Sequence, residues 1–98
     1  MSALTETRIR HSVVFTLKHA EGSEQERAFI HDASILGQIP GVLEFENLHQ
    51  VSPKAHYRFG FVMEFATRAD YEAYNQHPDH AAFVKNRWVP EVEDFMEP

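Results

Sequence analysis

A run over residues 57–65 alternates between two kinds of side chain with period two. One row is Tyr57, Phe59, Phe61, Met63 and Phe65; the other is Arg58, Gly60, Val62 and Glu64. Successive side chains of an extended strand point to opposite faces, so this spacing predicts a β-strand with an apolar face. The pattern leaves open which row faces the interior, because the second row also contains Val62.

Three further segments have strand character. Residues 8–18 alternate with period two; Ile9, His11, Val13, Phe15 and Leu17 share one face, and Arg10, Ser12, Val14 and Thr16 share the other. Residues 42–51 alternate imperfectly, which predicts a strand with a bulge near Asn47. Residues 92–96, after Pro90, alternate again and predict a short last strand.

The segment after the first strand carries the signals of a helix. Ser23 and Glu26 have the spacing of a capping box, in which a hydroxyl and a carboxylate bond to free N–H groups at a helix start. The apolar stripe that follows, at positions i, i+4 and i+7, consists of Phe29, Ala33 and Leu36. Pro40–Gly41 ends this helix or the turn after it.

A second helical region is interrupted by proline. The segment 67–70 has a similar capping spacing, and the helix is predicted to run to about Gln76. Pro78 cannot continue a helix from behind, because it has no N–H and its ring clashes with the preceding turn, but it suits the first position of a new helix. We therefore predict a break at which His77 caps a helix that runs to about Arg87. Such a break directs side chains into a gap between elements, where a small pocket can form.

The predicted order of elements is β-α-β-β-α-β. This order is typical of the ferredoxin-like arrangement, an α+β fold in which helices cover one face of an antiparallel sheet. We expect a single domain over residues 9–98, preceded by a flexible N-terminus over residues 1–8. The helices leave the other face of the sheet bare, and a bare apolar face indicates an interface. We predict a homodimer that packs sheet face against sheet face; the alternative is a monomer whose polar strand row faces water.

Composition and charge exclude several classes of function. The formal net charge is −6 and the nine basic residues are scattered, so a nucleic-acid partner is not expected. No apolar run approaches the roughly 20 residues of a membrane span, and no signal peptide is visible at the N-terminus. The chain has no cysteine, which excludes a disulfide framework, a thiol nucleophile and a zinc–thiolate site. These features fit a cytoplasmic protein, and without a Gly-rich phosphate loop or flavin signature no cofactor is implied.

Several strings along the chain carry a resemblance to a known family. They are Arg10–Phe15 in the first strand, Gln38–Val42 after the first helix, Phe59–Phe65 in the third strand, and Tyr74–His80 in the second helical region, with Phe83 and Glu93–Phe95 also fitting. Together they resemble the stress-responsive α/β-barrel (Dabb) family over most of the chain. The resemblance implies a dimeric α/β barrel of ferredoxin-like subunits.

The family contains members described only as stress-induced proteins and also a plant enzyme, olivetolic acid cyclase, which folds a linear polyketide by an aldol closure. Similarity to that enzyme implies an interior pocket between the sheet and the helices. It makes His80 the candidate base, with Tyr74 beside it and His11 facing the same cavity. Where the cyclase has a histidine in strand three and a pocket tyrosine in helix one, this chain has Phe59 and Asp32.

Imidazole and phenol groups suit proton transfer next to a carbonyl group. Histidine titrates near neutral pH and acts as a base without large tuning. A phenol such as that of Tyr74 can donate a hydrogen bond to a developing enolate oxygen. Structural roles remain the alternative: His80 can bond a backbone carbonyl near the chain break, and Tyr74 and His11 can be core residues.

Six apolar residues are candidates for the wall of a ligand pocket: Val13, Phe15, Phe29, Phe59, Phe83 and Trp88. The alternative is that the aromatic members only fill the core. His77, Asp79 and His80 together offer two nitrogens and a carboxylate to a metal ion. The two histidines straddle the predicted break, however, and lack the helical i, i+4 geometry of a zincin, so no metal site is expected.

The sequence thus favours a small dimeric stress-responsive α/β-barrel protein with a pocket for a small apolar or aromatic ligand. Whether it is an enzyme is left open. One alternative is a cofactor-independent polyketide-cyclase-like or isomerase enzyme that uses His80 and Tyr74 for proton transfer. Another is a cofactor-free monooxygenase of related fold.

Overall fold

The computed structural model describes residues 7–97 as a four-stranded sheet with helices on one face. The strands are β1 Ile9–Leu17, β2 Val42–His49, β3 Phe59–Phe65 and β4 Val92–Met96; the α-helices are α1 Glu24–Asp32, α2 Arg68–Gln76, α3 Pro78–Phe83 and α4 Val89–Glu91. The strand order is β2-β3-β1-β4, and all neighbouring strands are antiparallel. This confirms the ferredoxin-like α+β fold. The flexible N-terminus expected over residues 1–8 lies outside the described residues, apart from Thr7 and Arg8, which are exposed.

The first helix begins where the capping pattern predicts. The Ser23 hydroxyl accepts a hydrogen bond from the Glu26 N–H at 3.2 Å, and the buried Glu26 carboxylate accepts one from the Gly22 N–H at 2.9 Å. After α1 the chain continues as a 3₁₀ helix, Ala33–Gln38. The predicted apolar stripe of Phe29, Ala33 and Leu36 is buried in the core. The stripe therefore packs α1 and the 3₁₀ helix onto the sheet.

The two rows of alternating side chains on each strand lie on opposite faces of the sheet, and in β3 the row that begins at Phe59 faces the helices. Phe59, Phe61, Met63 and Phe65 are all buried in one core cluster with Val13, Phe15 and Leu17 of β1. Burial of each large apolar side chain contributes about 1.5–3 kcal/mol to folding. The opposite surface, which we call the open face, carries Arg10, Ser12, Val14 and Thr16 of β1, Glu44, Glu46 and Leu48 of β2, Gly60, Val62 and Glu64 of β3, and Asp94 and Met96 of β4.

The bulge predicted near Asn47 was wrong. The irregularity in β2 lies between Val42 and Glu44, and Asn47 pairs regularly with Phe61. Asn47 lies on the helix-facing side, where its Nδ2 donates to the Ile30 carbonyl at 3.2 Å. The alternation is imperfect because a polar side chain bonds to the helical layer, so no extra residue is needed there.

The chain break at Pro78 forms as predicted. His77 is extended, with φ −66° and ψ 137°, and its Nδ1 accepts the Asp79 N–H at 3.0 Å, so His77 caps α3. The predicted end at Arg87 was wrong. A π-helical turn, Val84–Trp88, follows α3 and leads into α4, so the helical region includes Pro90. Pro90 has no N–H to donate to an α-helical ladder, and the wider turn before it accommodates the ring.

Candidate functional site

A cleft of about 490 Å³ lies between the helix-facing side of the sheet and the helical region that begins at Pro78. The sheet contributes Val13, Phe61 and Met63 to its wall, and the helical side contributes Phe83, Val84 and Trp88. Its polar groups come from His11, Tyr71, Tyr74, Asn75, His80 and Glu97. A mostly apolar cleft of this size with a few convergent polar groups is typical of small-molecule sites.

His80 is oriented by the chain break. Pro78 starts α3, so His80 lies in its first turn, where its Nδ1 is 3.2 Å from the Asn75 backbone carbonyl. A carbonyl oxygen can only accept, so Nδ1 carries the proton and Nε2 keeps its lone pair. Burial lowers the pKa of His80 below its ordinary value, although the bond to Asn75 and the charge of Glu97 oppose this. The imidazole is therefore neutral near pH 7.

Tyr74 lies directly beside this imidazole. The two ring centroids are 4.6 Å apart, with the planes tilted by 50°. Burial raises the pKa of Tyr74 far above its ordinary value, and the nearby Tyr71 and Glu97 raise it further, so the phenol stays protonated. Within residues 7–97 the Tyr74 hydroxyl has no hydrogen-bond partner. No fully buried side-chain oxygen in that range lacks a partner, so the Tyr74 oxygen is accessible from the cleft that its side chain lines. The Tyr74 hydroxyl can therefore donate a hydrogen bond to a ligand in the cleft.

His11 completes a cluster at the polar end of the cleft. Its ring centroid is 6.3 Å from that of Tyr74 and 5.3 Å from that of Tyr71. Burial lowers the pKa of His11, whereas the carboxylate of Glu97, 3.7 Å from Nε2, opposes the shift. The structure therefore brings His11, Tyr74 and His80, the three candidates from the sequence, to one place.

Sequence reasoning missed three polar residues of the cleft, Tyr71, Asn75 and Glu97. Tyr71 precedes Tyr74 by three residues, a spacing that places both on one face of α2, and this signal was available. The Asn75 carbonyl and the Glu97 carboxylate give no such signal, since one is a backbone group and the other follows the last strand.

The six predicted wall residues divide into two groups. Val13, Phe83 and Trp88 line the cleft. Phe15, Phe29 and Phe59 lie behind the wall in the closed core. Phe15 packs against Trp88 at 5.0 Å between centroids, and Phe29 packs against Phe83 at 5.4 Å. Phe15 and Phe29 therefore support the wall from behind, whereas Phe59 stacks on Phe15, 5.7 Å away between centroids, and does not contact the wall directly.

A group of charged side chains outside the cleft holds the π-helical turn against α1. Arg87 bonds to both Asp32 and Glu91, and His19 bonds to Glu91 at 2.7 Å. The bond to Arg87 lowers the pKa of Asp32; burial raises the pKa of Glu91, but its bonds to Arg87 and His19 outweigh this and leave it lowered. Asp32 therefore forms an ion pair with Arg87 and does not line the cleft. This ion pair holds in place the segment that carries Trp88.

Metal-binding geometry does not occur among residues 7–97, since no group of three His, Asp or Glu side chains converges there. At the candidate trio His77, Asp79 and His80, the Nδ1 of His77 is engaged by the Asp79 N–H, and that of His80 by Asn75. Over the same described range, no helix has the length and apolar character needed to cross a membrane.

Known proteins share this fold. The model of the Stress responsive A/B Barrel Domain family matches residues 9–97. The chain belongs to this family. A Dabb-family protein with a ferredoxin-like fold from Mesorhizobium loti is 61% identical, with a TM-score of 0.89 over 93% of this chain and 92% of that one. A stress-response A/B barrel domain-containing protein from Arabidopsis thaliana is 27% identical over 90% of this chain, which spans only 34% of that relative.

More distant solved structures show the same fold. A dimeric ferredoxin-like protein from Thermobifida fusca is 24% identical, with a TM-score of 0.78 over 96% of this chain and 90% of that one. A hydroxynitrile lyase from Passiflora edulis is 19% identical, with a TM-score of 0.80 over 95% of this chain and 91% of that one. At these identities the likeness establishes the shared fold alone.

Proposed function

We propose that the cleft binds a small, largely apolar carbonyl compound and that His80 abstracts a proton from the carbon next to the carbonyl group. The observation that carries this proposal is the bond from His80 Nδ1–H to the Asn75 carbonyl, 3.2 Å long. It fixes the tautomer whose Nε2 lone pair is free to accept a proton. Burial keeps this imidazole neutral at physiological pH.

The neighbouring groups suit the rest of the proton transfer. As Nε2 takes the proton, the electron pair of the broken C–H bond forms the enolate double bond, and negative charge develops on the carbonyl oxygen. The phenol of Tyr74, 4.6 Å from His80 between ring centroids, donates a hydrogen bond to that oxygen. The proton on His80 then returns to the substrate, either at another carbon in an isomerisation or to the alkoxide after aldol closure. The hydroxynitrile lyase from Passiflora edulis supports this proposal, because it is an enzyme of the same fold.

A second candidate function is ligand binding without turnover, as part of a stress response. The bond between His80 and the Asn75 carbonyl is also compatible with this second function. A histidine that only stabilises the chain break would make the same bond. The Arabidopsis relative, described as a stress-response A/B barrel domain-containing protein, also supports this second function. The two candidates differ in whether bound ketone loses a proton.

Deuterium exchange of a ketone in heavy water separates these candidates. The probe is 2-indanone, a flat apolar ketone with exchangeable protons beside the carbonyl; exchange is followed by proton NMR and compared with the rate in buffer alone. His80→Asn is the key variant, because the asparagine amide can still donate to the Asn75 carbonyl but cannot act as a base. Loss of a general base lowers such rates by about 10²–10⁴-fold. We expect the native chain to accelerate exchange and His80→Asn to lose that acceleration while it still folds and binds the ketone.

Binding of 2-indanone without accelerated exchange would leave the non-catalytic candidate. Exchange retained in His80→Asn would remove His80 as the base. Tyr74→Phe provides a graded comparison, since it removes the hydroxyl while the ring keeps its packing against Phe65, 5.2 Å away between centroids. We expect it to slow exchange and to leave folding intact.

We also propose that two copies associate through the open face. Val14, Val62, Leu48 and Met96 form an apolar patch there, and Leu48 and Met96 are about half exposed. The Thermobifida fusca protein of the same fold, described as dimeric, supports this. Val62 lies between Ser12 of β1 and Glu46 of β2, near the middle of this face.

The variant Val62→Lys tests this association. A lysine at the centre of a buried interface leaves an unpaired charge, so we expect a shift from dimer to monomer in light scattering coupled to gel filtration. Ala82→Lys, on the exposed side of α3, is the matched control and should not change the mass. A native chain that elutes as a monomer would contradict the proposal.

A further inference from the structure

The ionisable groups that line the cleft include an acidic side chain but no basic lysine or arginine. Among its lining residues in the described chain there is one carboxylate, that of Glu97, and no lysine or arginine. Arg87 lies behind the wall, 5.7 Å from the centre of the Phe29 ring, and is engaged by two carboxylates. No permanent cation is therefore available inside the cleft to neutralise an anionic ligand.

The carboxylate of Glu97 lies beside His11. Glu97 Oε2 lies 3.7 Å from Nε2 of His11, and its charge is felt at His11, His80 and Tyr74, where it raises each pKa. Burial nevertheless keeps both imidazoles below their ordinary pKa, so they are neutral near pH 7. Among the residues described, Glu97 thus supplies the only carboxylate that lines the cleft.

Aromatic rings add to the negative electrostatic potential of the cleft. Tyr71, Tyr74, Phe83, Trp88 and Phe95 all line the cleft. The faces of aromatic rings carry partial negative charge and attract cations. The chain as a whole carries a net charge of −6, so the surrounding field has the same sign.

We infer that the cleft selects aromatic carbonyl compounds that are uncharged or carry an ammonium group, and that Glu97 makes it reject carboxylates and phosphates. This inference rests on the proposed function, because it names the ligand class of the same site. It assigns Glu97 a specificity role in binding and no part in the chemical step.

Three probes of equal length and different charge test the inference. They are 4-phenyl-2-butanone, 3-phenylpropylammonium and 3-phenylpropanoate, which share one phenylethyl body. Dissociation constants are measured near neutral pH at low salt from NMR shifts of the histidine and Trp88 side chains. We expect the ketone and the ammonium compound to bind on the order of tenfold more tightly than the carboxylate, because the Glu97 side chain is 56% exposed and water screens most of its charge.

The variant Glu97→Gln should weaken binding of the ammonium probe, strengthen that of the carboxylate and leave the ketone nearly unchanged. Glu21→Gln removes the same charge from an exposed turn outside the cleft and serves as the matched control. Equal shifts in both variants would show that net charge and not Glu97 sets the preference, which overturns the inference.

The outcomes also separate this inference from the proposed function. A carboxylate that binds as tightly as the ammonium probe overturns the charge selection even if 2-indanone exchange depends on His80. The expected order of affinities without any exchange supports the selection and removes the proton-transfer proposal. Failure of all three probes to bind overturns the charge selection, and the exchange of 2-indanone then decides the proposed function by itself.

Discussion

Among the four glycines, Gly37 is the one where an added Cβ would make the closest contact. It lies in the 3₁₀ helix directly after Leu36, which lines the cleft. A Cβ at Gly37 would lie 2.9 Å from Cβ, 3.1 Å from Cγ and 3.3 Å from Cδ2 of Phe45. Carbon atoms in contact normally lie about 3.5–4.0 Å apart. Because Cβ of Phe45 is fixed by the backbone of β2, rotation of the ring cannot relieve the closest contact.

Two effects of opposite sign determine the size of the change. The backbone of Gly37 does not have a positive φ, so alanine fits it and gains up to about 1 kcal/mol in helical structure. Overpacking a filled site costs about 1–3 kcal/mol. We expect the clash to win, so that Gly37→Ala lowers the free energy of unfolding by about 1–2 kcal/mol. In a domain of this size that lowers Tm by roughly 5–15 °C.

Thermal unfolding followed by circular dichroism measures this effect. Ser34→Ala, at an exposed position of the same 3₁₀ helix, is the control and should change stability by less than about 0.5 kcal/mol. In a Phe45→Ala background the contacts with Cγ and Cδ2 are gone but the one with Cβ remains, so the effect of Gly37→Ala should shrink without vanishing. A Tm that is unchanged or higher in Gly37→Ala would refute the reasoning.

Two further predictions concern stability. Burial lowers the folded pKa of His11 and His80 below the ordinary value of about 6.5, so the unfolded chain binds more protons as the pH falls from 6.5 towards the folded values. The free energy of unfolding, measured with urea, should therefore decrease over this window, and less steeply in a variant with asparagine at both positions; equal slopes would contradict the assignment. Arg87→Met loses its bond to the Glu91 carboxylate, whose side chain is 18% exposed, and should lower stability by about 1 kcal/mol, whereas Lys85→Met should not. Equal Tm values for these two variants would show that the ion pairs contribute nothing.

Local patterns predicted most of the fold because each one acts through the nearest residues. The capping pair of Ser23 and Glu26 and the break at Pro78 lie where the sequence puts them. The sequence alone did not determine which row of β3 side chains faces the core, because both rows contain apolar residues. That choice depends on how the strand packs against the helices. Asn47 misled the strand prediction because the Ile30 carbonyl that it bonds to is distant in sequence.

The site was harder to predict than the fold. The cluster of His11, Tyr74 and His80 was predicted from the family resemblance, but nothing in the pattern gives the tautomer of His80. That depends on where the break points the Asn75 carbonyl, which is a matter of backbone geometry. Glu97 gave no signal because an acidic residue near a chain end is usually a solvated surface group.

The central claim is that His80 presents a free Nε2 lone pair to the cleft. Nitrogen–proton correlation NMR of the histidine side chains near neutral pH tests it directly, with His80→Asn used to assign the signals. We predict that His80 is neutral, with the proton on Nδ1 and a bare Nε2, and that its signals shift when 2-indanone is added. A proton on Nε2, or a fully protonated ring at that pH, would contradict the account.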